Sequence, residues 1–73
     1  MAFYLYRVAG ETRSASVGDP EPSGAGDFAV VLTLDPSDPK ERRIYGLSPE
    51  DALENALTLV AGLADRGEVW PKL

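Results

Sequence analysis

Cysteine and histidine are both absent from the 73 residues. Without cysteine the chain has no disulfide and no thiolate, an absence that suits a cytoplasmic protein. Without histidine it lacks the side chain that titrates most readily near neutral pH and the commonest transition-metal ligand. No cofactor or metal is expected. Basic residues are also few: seven Lys and Arg stand against twelve Asp and Glu, for a net charge of −5. Direct nucleic-acid binding is therefore not expected, because that affinity comes from neutralising phosphates with Lys and Arg. The chain shows no positively charged segment leading into an apolar stretch at its start, so no signal peptide is expected. No apolar run, such as Ala29 to Leu32, approaches the ~20 residues that span a bilayer, so no membrane role is expected either.

What is present is one strongly marked helix. Ser48 is suited to be its N-cap, and Pro49 sits at the first helical position, where a missing N–H costs nothing. Asp51 can reach back as in a capping box, and Glu50 and Asp51 complement the positive end of the helix dipole. The pattern predicts a helix from Pro49 to about Arg66, stopped by Gly67. At 100° per residue its apolar positions cover roughly 200° of the circumference, more than one small sheet requires. The excess predicts a second surface, supplied by the C-terminal tail or by another subunit. Ala52, Leu59, Leu63 and Trp70 are the candidate contacts for it.

Ahead of the helix come extended segments. Ala2 to Val8 reads as a strand in which Phe3 and Leu5 compete with Tyr4, Tyr6 and Val8 for the inward face and are favoured for it, and Thr12 to Val17 as a weak, Ser-rich edge strand. Gly18 to Gly26 is loop by composition. Asp27 to Leu34 is nearly continuously apolar and reads as a central strand, and Glu41 to Tyr45 as a short strand leading into the helix. Val69 and Trp70 are expected to fold back onto the core. The chain thus reads as a single α+β domain over residues 1–73, an antiparallel sheet of three or four strands with one C-terminal helix across one face.

Chemistry-bearing clusters are sparse. Asp19 and Glu21 share one loop and Asp35 and Asp38 another, positions suited to loop contacts with a partner. They are also ordinary turn formers, and solvated turns rarely force two carboxyl pKa values apart as acid–base catalysis requires. Gly24-Ala25-Gly26 precedes a strand and not a helix, so it lacks the geometry of a phosphate cradle. The helix carries the sharper signal. Glu50 and Glu54 are four apart with like charge and no Lys to relieve them, and Asp51 and Asp65 also lack a helical partner. An acidic surface of this kind is matched to a basic protein surface, although solubility alone also accounts for a charge of this size.

Two stretches resemble a group of short bacterial domains of unknown function. One is Val17-Gly18-Asp19-Pro20-Glu21-Pro22 followed by Gly26-Asp27-Phe28. The other is Tyr45-Gly46-Leu47-Ser48-Pro49-Glu50-Asp51-Ala52-Leu53-Glu54-Asn55-Ala56-Leu57, with Ser48 where that group has Asp and Asp51 where it has Gln. This likeness implies a fold and no activity. Gly46 to Ala56 and the tail Gly67-Glu68-Val69-Trp70-Pro71 are also similar to the antitoxin halves of Hic-type toxin–antitoxin pairs, whose Leu-Pro-Gly-Cys loop is missing here. The expectation is a non-enzymatic protein that binds and inhibits a larger basic, nucleic-acid-processing protein, as an antitoxin, an immunity protein or a phage anti-defence inhibitor. The alternative is a structural homodimerisation module.

Overall fold

Strand-forming residues fill the first two-thirds of the chain, and the strands pair in chain order wherever a turn permits it. A computed structural model describes residues 1–35 and 38–72, with the side chains of all of these except residues 35, 38 and 39. Its elements are β1 (Ala2–Val8), β2 (Glu11–Val17), β3 (Glu21–Pro22), β4 (Phe28–Asp35), β5 (Asp38–Gly46), α1 (Pro49–Leu63) and β6 (Val69–Pro71). The fold is α+β, with every described strand pairing antiparallel. Across the sheet the order is β5, β4, β2, β1, β6, and β3 continues the β2 side of β4.

Six strands replace the three or four expected. A two-residue strand forms inside the Gly18 to Gly26 segment, where Glu21 and Pro22 pair with Ala29 and Phe28. The tail adds the other, with Trp70 opposite Leu5 and the Lys72 amide donating to the Phe3 carbonyl at 2.8 Å. β2 is an interior strand and not an edge. Its small Ser and Ala residues leave room for packing on both sides, and Ala15 and Val17 are buried.

The inward face of β1 is also the reverse of the one expected. Tyr6 is buried, with Tyr4 and Val8 packed around the core, whereas Phe3 is 48% exposed. The Tyr6 hydroxyl donates to the Leu34 carbonyl at 3.1 Å. A buried tyrosine is tolerable only with such a partner, and here β4 supplies one.

α1 begins as its sequence predicts. Ser48 is extended, and its hydroxyl accepts from the Asp51 amide at 3.1 Å. The fully buried seam is Ala52, Ala56 and Val60, one residue per turn, packed on Val17, Val30 and Leu32. Ala52 is therefore core, and it is inaccessible to a partner. The helix ends at Leu63 and not near Arg66, because Ala64 turns extended and the Asp65 amide is taken by the Arg7 carbonyl at 2.8 Å. Gly67 does adopt a left-handed φ of 68°, in the turn beyond the helix end.

Small residues set the distance between helix and sheet. A Cβ on Gly46 would lie 2.6 Å from the Asp51 carbonyl carbon and 2.7 Å from the Ala52 Cα, both backbone atoms that cannot swing aside. The Asn55 side-chain amide donates to the Tyr45 carbonyl at 2.8 Å and holds the helix against the end of β5. Gly46→Ala should therefore destabilise the protein toward or beyond the upper end of the ~1–3 kcal/mol usual for over-packing, as read by urea denaturation. Gly62→Ala, where the added Cβ meets nothing, should be neutral or stabilising by up to about 1 kcal/mol in the same assay.

Candidate functional site

The excess apolar arc of α1 resolves into two stripes. The Ala52–Ala56–Val60 seam lies on β4 and β5, so the helix sits toward one side of the sheet and contacts β1, β2 and β6 only lightly. The second stripe, Leu53, Leu57 and Ala61, is half-buried. It looks across a groove of about 530 Å³ toward Tyr4, Val69 and Pro71, on the part of the same sheet face that the helix leaves open. The returning tail forms the far wall, but none of the contacts expected for it, Ala52, Leu59, Leu63 and Trp70, lines the groove. Glu50 and Glu54 stand on the helix rim of this groove. Both are exposed, and neither takes part in an ion pair among the described residues.

Four residues apart, Glu50 and Glu54 point the same way from successive turns. Unrelieved, they repel by a few tenths of a kcal/mol, and a cation placed between them removes that penalty. Asp51 is exposed nearer the outer face. Its amide serves the N-cap, but its carboxylate makes no reciprocal bond to the Ser48 amide among the described residues. The three acidic residues of α1 are thus all accessible, and two of them border an apolar floor.

Asp65 is placed differently. It lies beyond the helix, and its carboxylate accepts from the Ala9 amide at 2.9 Å and the Gly10 amide at 3.1 Å. Ala9 and Gly10 form the two-residue turn between β1 and β2, and both have positive φ, 52° and 78°. That conformation matches the twist of a tight hairpin but strains a non-glycine residue such as Ala9 by roughly 1–2 kcal/mol. A carboxylate receiving both turn amides offsets the strain and clips the helix exit to the hairpin.

The remaining expected positions scatter. Asp19 pairs with the Met1 amino group at 3.2 Å, far out in solvent. Glu21 lies on β3 beside Ala29, away from the groove. The Asp35 and Asp38 side chains fall outside the described residues, so the loop contact expected of them has no described geometry. Leu59 packs on the core, Leu63 is 47% exposed at the helix end, and Trp70 is 42% exposed. Trp70 pairs with Leu5 on the side of the sheet away from the helix, so it does not fold onto the core as expected. Val69 does.

Tyr4, Leu57 and Pro71 were not singled out by sequence reasoning. The i, i+4, i+8 spacing of Leu53, Leu57 and Ala61 was the available signal, and it needed the helix position on the sheet to be read as a separate stripe. Among the described residues no group of three carboxylates converges to hold a metal ion. No helix among the described residues is long and apolar enough to cross a membrane. In comparisons with family models, curated proteins and solved structures, nothing matches the chain.

The Ala9 amide, followed by the Gly10 amide, holds the Asp65 carboxyl below its ordinary value of 3.8, against an opposing desolvation and with smaller help from Arg7 and Arg66. A depressed folded pKa stabilises the protein above the unfolded value, and that stability is lost as pH falls through the folded one. Asp65→Asn should accordingly lower Tm at neutral pH. In thermal melts at decreasing pH, the gap from the parent should narrow below 3.8 and close once Asp65 itself is protonated.

Proposed function

We propose that this chain is a non-enzymatic interaction domain whose acid-rimmed groove receives a basic segment of a larger, nucleic-acid-processing protein and thereby inhibits it. The observation that carries this reading is the placement of Glu50 and Glu54, without counter-ions among the described residues, on the rim above Leu53, Leu57 and Ala61. A cationic amphipathic segment complements both features at once, its apolar side chains on the floor and its Lys or Arg residues on the rim.

The magnitudes divide the work between them. Burying one Leu-sized side chain in the groove is worth ~1.5–3 kcal/mol. Each exposed carboxylate–cation pair adds only ~0.2–1 kcal/mol. The floor therefore supplies most of the affinity, and the rim selects and steers the partner. Occupying cations intended for phosphates is the inhibitory step, and a net charge of −5 favours approach to such a surface. The likeness of Gly46 to Ala56 to antitoxin helix starts supports the same role, and an immunity protein or a phage anti-defence inhibitor would work through the same contact.

The test is a fluorescence-anisotropy titration with a synthetic helical peptide carrying a Leu stripe beside a Lys stripe. The parent should bind it, and should not bind the same peptide with Glu in place of Lys. A Glu50→Lys, Glu54→Lys double variant should weaken binding by about tenfold and flatten its dependence on salt. Unchanged binding by that variant would remove the helix rim from the site.

A further inference from the structure

The sheet has a second face, turned away from α1; no described helix covers it, and only at one corner is a residue, Ala29, buried, in a hollow bordered by Gly18, Asp19 and Glu21. In an antiparallel ladder directly paired residues share a face, so the register identifies who is there. Leu5 lies opposite Trp70, with Phe3 diagonal to Trp70 on the same side. At the opposed corner Ala29 lies opposite Tyr45, with Val31 next along β4. Ser14 and Ser16 of β2 occupy the middle. Phe3, Trp70 and Tyr45 are 48%, 42% and 50% exposed, so three aromatic rings meet water on one surface. Apolar patches of this kind on a small domain mark a contact surface.

We infer that this back face is the interface of a homodimer, with a second copy of the chain packed sheet to sheet. The first argument is charge. Arg7, Arg43 and Lys72 on or beside this face stand with Glu21, Glu41, Asp19 and Glu68, so the face is close to balanced and carries little of the chain's net charge of −5. Two acidic copies repel through their helix sides and meet without repulsion only where charge is balanced. The same balance argues against a strongly basic protein, which would find no excess of carboxylates, and against a nucleic-acid strand, which would find too few cations.

The second argument is shape. The two apolar patches sit at diagonally opposed corners with small Ser side chains between them. A two-fold axis lying in the sheet plane, midway between the patches, lays each patch of one copy on the other patch of its mate. The third is area. Five strands about 4.8 Å apart and about seven residues long at ~3.3 Å each make a face on the order of 500 Å² per copy. Two such faces bury about 1,000 Å², the lower bound for a specific interface, which points to a micromolar dimer and not an obligate one.

Sedimentation velocity from low micromolar to several hundred micromolar protein tests this. The parent should pass from monomer to dimer across that range. A Phe3→Lys, Tyr45→Lys double variant, altering two half-exposed rings outside the core, should remain monomeric or weaken association by at least about tenfold. At low micromolar concentration, where the parent is still monomeric, its far-ultraviolet circular dichroism and its Tm should match the parent, separating lost association from lost folding. Glu50→Lys, Glu54→Lys, on the other side of the molecule, should dimerise at least as well as the parent, so failure of the groove reading and failure of this one are told apart. A parent that stays monomeric at every concentration, or a dimer that survives the Phe3 and Tyr45 substitutions, would overturn the proposal.

Discussion

The near-contact between Gly46 and the first turn of α1 governs the rest of the structure. Because residue 46 has no side chain, the helix backbone settles directly on the end of β5, and Ala52 and Ala56 let it stay close for two more turns. A helix seated this way is committed to the β4–β5 half of the sheet. The β1–β6 half is then left with only the flank of the helix above it, and the groove is what remains. Larger residues in the seam would centre and lift the helix, cover β1, and leave Leu53 and Leu57 packed on the sheet instead of lining an opening.

The two broad surfaces of the molecule differ in kind. One presents carboxylates around an apolar trough, and the other presents aromatic rings with balanced charge. Their separation follows from period alone. The helix turns every 3.6 residues and places Glu50 and Glu54 beside Leu57, whereas the strands alternate every two and send Phe3, Leu5 and Trp70 to the side opposite Tyr4, Tyr6 and Val69. Both surfaces can therefore be engaged at once by different molecules.

Sequence reading recovered whatever was encoded locally. Ser48, Pro49 and the apolar spacing after them place α1 to within a residue at its start, and the boundaries of β1 match those expected. What it missed was decided at long range. Phe3 and Leu5 are as apolar as Tyr4 and Tyr6, and the choice between the faces of β1 turns on a hydroxyl acceptor 28 residues away on β4. Nothing near Ser14 or Ser16 shows that β2 will be sandwiched between β1 and β4. Asp65 reads as one more surface acid because its partners, Ala9 and Gly10, are more than 50 residues earlier. Of the site, the acidic rim was legible, while the trough it borders was not.

The three-residue strand at the C-terminal side of the groove has a dynamic meaning. β6 joins β1 from more than 60 residues away in sequence and is held by few ladder bonds, so it closes late in folding and opens at low free energy. The helix wall, by contrast, is anchored by the core seam and the Asn55 bond to Tyr45. One jaw is fixed and the other is spring-loaded. Such a vice can grip side chains of unequal girth, and each adjustment is felt where Val69 packs beside Tyr6.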